Sequence, residues 1–317
     1  MSETQKPALS LAAGYHLRAK LLCDGRVKMQ NFELNAVAFE DDGHGHEQFL
    51  AGIYDAGEFS LANYCALKSR GEPYMAIPVF PNRKFRHSYI FVREDSALKE
   101  PAQLKGKRVG IPGWLNTCGL WVRGILGDEY GVKIEDIHWI ARRKTPLDGT
   151  LPEGTKFEVA PGEGTLAARL IKGEFDAIIV PDFPEEKGWR RLFADSKAVE
   201  QDFYRRTGIF PTSYAITFHS SYLEKYPSAA REMFDACVQA KDLALRDDAD
   251  ATYSNFAWNR QVWEEQRTVM GPDPWRYGIK GNEKVLDTLI RYASEQGLLK
   301  KPMTITDLFV QIDEPNS

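Results

Sequence analysis

Seven consecutive residues hold the densest chemistry in this 317-residue chain: Asn82-Arg83-Lys84-Phe85-Arg86-His87-Ser88. Two guanidinium groups, an ammonium, an imidazole and a hydroxyl in one short turn can bind an anion and move a proton. A planar guanidinium meets a carboxylate with two parallel hydrogen bonds, and an unperturbed imidazole titrates at about pH 6.5. Arg86 beside His87 would lower that value and make the proton easier to donate. The whole chain carries a net charge of −4, so the cations are a local device. With no basic excess to neutralise phosphates, a nucleic-acid partner is not expected.

The turn needs a frame. Ile77 to Phe80 and Tyr89 to Val92 are short, β-branched or aromatic runs bounded by turn residues, and read as strands. The length suggests two domains, and 43% hydrophobic with 27% charged residues fits a soluble globular protein. No signal peptide is expected at the start, and no run of 18 apolar residues exists, so no membrane partner is expected. Cys23, Cys65, Cys118 and Cys237 show no CxxC or zinc spacing and read as free thiols of a reducing cytoplasm.

From residue 108 to 182 the pattern is strand, helix, strand, helix, strand: Arg108 to Pro112, Cys118 to Tyr130, His138 to Ile140 with Phe157 to Val159, Leu166 to Gly173, and Phe175 to Val180. That is a compact, mainly parallel α/β unit. Residues 144–154 read as a loop and Arg190 to Arg206 as a helix. Tyr214 to Phe218 reads as a strand, and helices follow over 228–246, 252–270 and 282–296. Gly43-His44-Gly45-His46 reads as a flexible loop before a helix at 47–54. The flanking segments look incomplete alone, so two lobes are expected: residues 1–90 with 208–317, and residues 91–207. Two crossovers join them and a cleft lies between. Ligands in open α/β sheets sit outside the carboxyl ends of strands, where Ser60, Trp114 to Thr117, Glu163 and Asp182 fall.

Five stretches, F-P-N-R-K-F-R-H-S-Y-I-F-V-R (80–93), P-A-Q-L-K-G-K-R-V-G-I-P (101–112), W-V-R-G-I-L-G-D-E-Y-G-V (121–132), Y-R-R-T-G-I-F-P (204–211) and Y-G-I-K-G-N (277–282), closely resemble the 4,5-dihydroxyphthalate decarboxylase family. The resemblance spans about Tyr15 to Phe309. It implies a cytoplasmic carboxy-lyase of aromatic degradation on a type II periplasmic-binding-protein-like fold. One departure lies at Asp41 to Ile53, which is shorter than the family's usual helix and carries the Gly-His-Gly-His segment.

Such a reaction needs electron flow from a phenolate to the ring carbon bearing the carboxylate, an acid at that carbon, and cations for the carboxylate that stays. His87 is the candidate general acid, or else a histidine that holds the turn by hydrogen bonds. Arg86 and Arg123 are candidate carboxylate forks, with Arg205 and Arg206 able to close on the same anion. Arg83 and Lys84 read as solvated. Asn116 and Thr117 open a helix whose N-terminus favours an anion. Glu163 and Asp182 could accept a phenol proton, Ser60 and Ser88 could bind substrate, and Trp114 could stack on its ring. No cofactor is expected. A divalent metal at His44 and His46, with Glu40, Asp41, Asp42 and Glu47 near in sequence, stays open on a weak H-x-H signal. The expected partner is a small aromatic carboxylate, with a homo-oligomer possible. Two alternatives remain: a solute-binding protein that closes on an aromatic acid without changing it, and a lyase for a related hydroxybenzoate.

Overall fold

The computed structural model describes residues 6–144, 150–250, 252 and 254–313. Residues 1–5, 145–149 and 253, which fall in the leader, loop and helix readings above, lie outside the described residues. In chain order the elements are β1 (Ala8–Gly14), α1 (Leu17–Cys23), β2 (Glu33–Phe39), α2 (Asp42–Leu50), β3 (Ala56–Ser60), α3 (Leu61–Ser69), β4 (Tyr74–Ala76), β5 (Ile90–Arg93), β6 (Arg108–Ile111), α4 (Thr117–Tyr130), β7 (His138–Ala141) and β8 (Lys156–Val159). Then come α5 (Leu166–Ile171), β9 (Ala177–Ile179), β10 (Trp189–Arg191), α6 (Ser196–Thr207), β11 (Tyr214–His219), α7 (Ser220–Lys225), α8 (Ser228–Asp248), α9 (Asn259–Met270), α10 (Glu283–Glu295) and α11 (Ile305–Leu308).

The strands form two mixed sheets, one in each lobe. The first has the order β2-β1-β3-β11-β4 and the second β10-β5-β9-β6-β7-β8. In each, one strand that follows a crossover runs against its neighbours: β11 is antiparallel to β3 and β4, and β5 is antiparallel to β9 and β10. The chain leaves the first sheet after β4 and returns after α6. The two passes lie side by side, with Lys84 N–H donating to the Pro211 carbonyl (3.1 Å) and Ser213 N–H to that of Asn82 (2.8 Å). Such paired strands form a hinge that fixes the backbone of the basic segment.

Several sequence expectations change. Ile77 to Phe80 is buried and extended but is not a strand of either sheet; it is the crossover itself, with β4 ending at Ala76. Gly43 to His46 is not a loop. Asp41 caps α2 by accepting from Gly43 N–H at 2.8 Å, and the helix carries both histidines. Trp189 to Arg191 pairs with β5, so the helix after it begins only at Ser196. Of the carboxyl-terminal helices, α8 packs on α1, and α10 packs on both α3 and α4. Asn116 and Thr165 cap their helices, whereas Ser60 does not. Asn116 accepts from Gly119 N–H (3.0 Å) and Thr165 from Ala168 N–H (3.0 Å).

The seam between α4 and α10 is tight. Gly124 faces the Tyr292 ring, and a Cβ at that position would stand inside the ring. The ring cannot retreat, because Trp121 packs edge-on against it at 5.6 Å and Asp128 accepts from its hydroxyl at 2.7 Å. Gly124→Ala should therefore destabilise the protein by about 1–3 kcal/mol through overpacking, read as a lower midpoint in chemical denaturation. An unchanged midpoint would show that the two helices can part without cost.

Candidate active site

The crossover bridges to the second pass at Arg83 and Thr212 and turns into a 3₁₀ helix only at His87, and along it successive side chains are directed to opposite sides. Asn82, Lys84 and Arg86 face one way and line a cavity of about 380 Å³ between the lobes. Arg83, Phe85 and His87 face the other way. Arg83 donates to the carbonyls of Phe210 (3.1 Å) and Arg276 (2.9 Å) and to Asn282 Oδ1 (2.6 Å), pinning the second crossover. Phe85 packs on Phe210 at 4.7 Å.

Arg86 is the deepest cation of the cavity and only 3% exposed. Its Nη2 donates to Ser213 Oγ, and its guanidinium lies 5.1 Å from the Tyr89 ring centroid. Nε and Nη1 are buried with no hydrogen-bond partner. A buried guanidinium with two idle donors is costly unless an anion meets it. Asn82 Oδ1 and His46 Nε2 are also buried without a partner, and both residues line the same cavity. Unpaired polar atoms of this kind are uncommon in folded proteins, and four of those among the described residues belong to side chains that line this space.

The rest of the wall comes from three further places. The N-terminus of α4 contributes Leu115, Asn116, Thr117 and Cys118, and its dipole favours an anion. Thr117 Oγ1 reaches across the cleft to Ser60 Oγ (2.8 Å), which also accepts from Asn63 Nδ2 (2.9 Å). Ser60 stands at the N-cap of α3 but makes no capping bond; its hydroxyl ties the two lobes together instead. At the rim, Lys84 pairs with Asp182 at 3.3 Å. Arg143, Glu40 and Asp41 complete the charged lining. The Cys118 thiol donates to the Val180 carbonyl (3.6 Å), and burial keeps its pKa raised despite Arg86 and Lys84 nearby, so it is a neutral thiol. Burial pushes the His46 imidazole down to about 4, against the opposing pull of Glu58 and Asp41, so it is neutral at pH 7.

Comparison with known proteins decides the family. The chain is 32% identical to a 4,5-dihydroxyphthalate decarboxylase of Comamonas testosteroni, over 96% of both chains. The chain belongs to the 4,5-dihydroxyphthalate decarboxylase family. A Pseudomonas putida protein of the same name is 34% identical over 62% of this chain and 81% of its own. A family model described as an ABC transporter, phosphonate, periplasmic substrate-binding protein matches residues 32–188. The periplasmic aliphatic sulphonate binding protein SsuA of Escherichia coli superposes with a TM-score of 0.56 at 17% identity, over 96% of this chain and 98% of its own. The decarboxylase family thus shares the two-lobed binding-protein fold.

Of the candidate site residues, Arg86, Ser60, Asn116, Thr117 and Asp182 line the cavity. The others do not. His87 is 2% exposed and sits in an aromatic cage of Phe203 (5.1 Å), Phe193 (5.5 Å) and Tyr130 (6.4 Å). Neither ring nitrogen has a partner, so it does not hold the turn by hydrogen bonds either. Ser88 binds Glu200 Oε1 through its N–H (2.8 Å) and hydroxyl (2.5 Å), because the backbone winds into a 3₁₀ turn there and breaks the alternation. Trp114 and Arg123 are one buried unit. Trp114 Nε1 donates to the Gln296 carbonyl (3.0 Å), while Arg123 donates to Gln296 Oε1 (2.6 Å) and the Trp114 carbonyl (2.8 Å). Arg206 pairs with Glu129 and Asp202 on the surface, Arg205 reaches Gln201, and Glu163 is exposed on its loop.

The sequence reading missed His46, Asn82, Lys84, Asn63, Arg143, Ser213 and Tyr214. For Asn82 and Lys84 a signal existed: the two-residue period through Arg86. The H-x-H pair splits, with His46 in the cavity wall and His44 against Phe39 at 5.5 Å. The Asp42 side chain lies outside the described ones, and among the described residues no group of three or more His, Cys, Asp or Glu side chains could hold a metal ion.

Proposed function

We propose that this cavity binds 4,5-dihydroxyphthalate and removes one of its carboxylates as CO2, leaving protocatechuate. The protein is a carboxy-lyase of phthalate degradation. The observation that carries the reading, beside family membership, is the buried guanidinium of Arg86, which lines the polar cavity and has two nitrogens without a partner. The volume falls in the usual range of small-molecule sites, roughly 300–1,000 Å³.

Direct loss of CO2 would leave an unstable aryl carbanion. The feasible path pushes electrons from the hydroxyl para to the departing group, protonates the ring carbon that bears it, and releases CO2 as aromaticity returns. Two carboxylates then need different treatment. The Arg86 guanidinium holds the one that stays, supported by the Asn82 amide and the N-terminus of α4. The one that leaves lies toward the rim, where Lys84 is already shared with Asp182, so it receives weaker support. The Ser60–Thr117 bond holds the lobes together over the bound ring and keeps bulk water out. The four cysteines are unpaired thiols, in keeping with a cytoplasmic reaction.

Incubation of the purified protein with 4,5-dihydroxyphthalate tests this. Stoichiometric CO2 and protocatechuate are expected. Tight binding without product would instead mark a binding protein, and turnover only of a monocarboxylate would reassign the substrate.

A further inference from the structure

We propose that His46 is a catalytic residue of this reaction: its Nε2 receives the proton of the hydroxyl para to the departing carboxylate. This rests on the decarboxylase reading above. His46 lines the cavity, and its Nε2 is a buried nitrogen with no partner. The ring is held rigidly, edge-on to Phe59 at 5.1 Å and to Tyr214 at 5.2 Å. A neutral imidazole carries one proton, and with it on Nδ1 the Nε2 lone pair is free to accept.

The lining sorts by chemistry. Donors come from the crossover and α4: Lys84, Arg86 and the N-terminus that Asn116 caps, with the Asp182 carboxylate taken up by Lys84. Acceptors come from the start of α2: Glu40, Asp41 and His46. In 4,5-dihydroxyphthalate the two carboxylates share one edge of the ring and the two hydroxyls the opposite edge. Carboxylates toward the crossover therefore turn the hydroxyl donors toward α2.

The step balances. A water proton forms the new C–H bond at the ring carbon, leaving hydroxide. The ring electrons that make this bond are replaced from the para oxygen, whose O–H bond breaks as its proton passes to Nε2. The oxygen becomes a carbonyl. The C–CO2 bond then breaks, its electron pair restores the aromatic ring and returns charge to the oxygen, and Nε2 gives the proton back. The hydroxide takes a proton from solvent, so the net reaction consumes one proton and releases CO2. A weak base suits this role. Once the ring carbon is protonated the para O–H is a strong acid, and an imidazole whose pKa burial has lowered stays in its acceptor form at pH 7. Other groups are less suited: Cys118 is a neutral thiol already donating to Val180, Asp182 is tied to Lys84, and His87 is caged.

The test compares wild type, His46→Leu and His46→Gln for kcat and KM with 4,5-dihydroxyphthalate and for the Kd of phthalate, which has no hydroxyl. His46→Leu should lose roughly 10²–10⁴-fold in kcat with phthalate binding unchanged. His46→Gln, which can accept a hydrogen bond but cannot carry the proton, should regain KM and not kcat, and decides the matter if the leucine variant does not fold. Variants within tenfold of the wild-type kcat, or loss of phthalate binding in step with turnover, would overturn the proposal. A wild-type protein that binds substrate and releases no CO2 overturns the decarboxylase reading and this role with it.

Discussion

Arg86→Met should lower kcat/KM for 4,5-dihydroxyphthalate by about 10²–10³-fold. A buried, hydrogen-bonded charge pair is worth roughly 2–5 kcal/mol when one partner is removed, and each 1.36 kcal/mol is a factor of ten. The variant should still fold. Methionine fills much the same space, and the methylene stem does not need the charge. It also removes two buried N–H groups that have no partner in the free protein. Arg86→Lys should not restore activity, because an ammonium cannot present the two parallel donors that a carboxylate meets. Steady-state kinetics with the three proteins, beside their denaturation midpoints, check this. Near-normal kcat/KM in the methionine variant would remove Arg86 from the carboxylate site.

His87→Leu should leave turnover at pH 7 close to wild type and make the protein more resistant to acid. In the native state burial, helped by the Arg206 charge, holds the His87 ring at about 4, whereas an unfolded chain titrates at about 6.5. Above pH 6.5 the ring is neutral in both states and costs nothing. As pH falls below that value the unfolded chain takes up a proton that the native protein refuses. Stability is then lost progressively, by about 2 kcal/mol at pH 5 and about 3 kcal/mol near pH 4. His46 has a similarly lowered value and adds a second loss over the same window. Leucine abolishes the His87 share and also removes two unpaired ring nitrogens. Urea denaturation at pH 7 and pH 5 should show a smaller fall between the two for the variant. A collapse of turnover with stability intact would return His87 to the chemistry.

The parts of the fold that could be read from sequence are those held by local chemistry. The unit from β6 to β9 announces itself through Val109, Ile111, Ile178 and Ile179 in short apolar runs, and through Asn116 and Thr165 at the caps. Ile77 to Phe80 deceives because a buried crossover has the same composition as a buried strand; only its partners differ. The basic segment deceives in another way. Its cations share one short stretch of sequence but not one side of the chain. Arg86 and Lys84 reach the cavity, while Arg83 and His87 go into the packing behind it. Trp114 and Arg123 could not be placed without knowing that Gln296, more than 170 residues later, returns to cover them. Arg206 finds Glu129, 77 residues before it, on the neighbouring α4. His46 was hidden because two glycines beside it mimic a loop, whereas Asp41 starts a helix there.

A crystal structure with phthalate bound tests the central claim most directly, since that ligand keeps both carboxylates and cannot react by the phenolate path. One carboxylate should lie within about 3 Å of the Arg86 guanidinium nitrogens, with its neighbour toward Lys84 and the bare ring edge toward His46. Phthalate seated away from Arg86, or the guanidinium still without an acceptor while the ligand is bound, would contradict it.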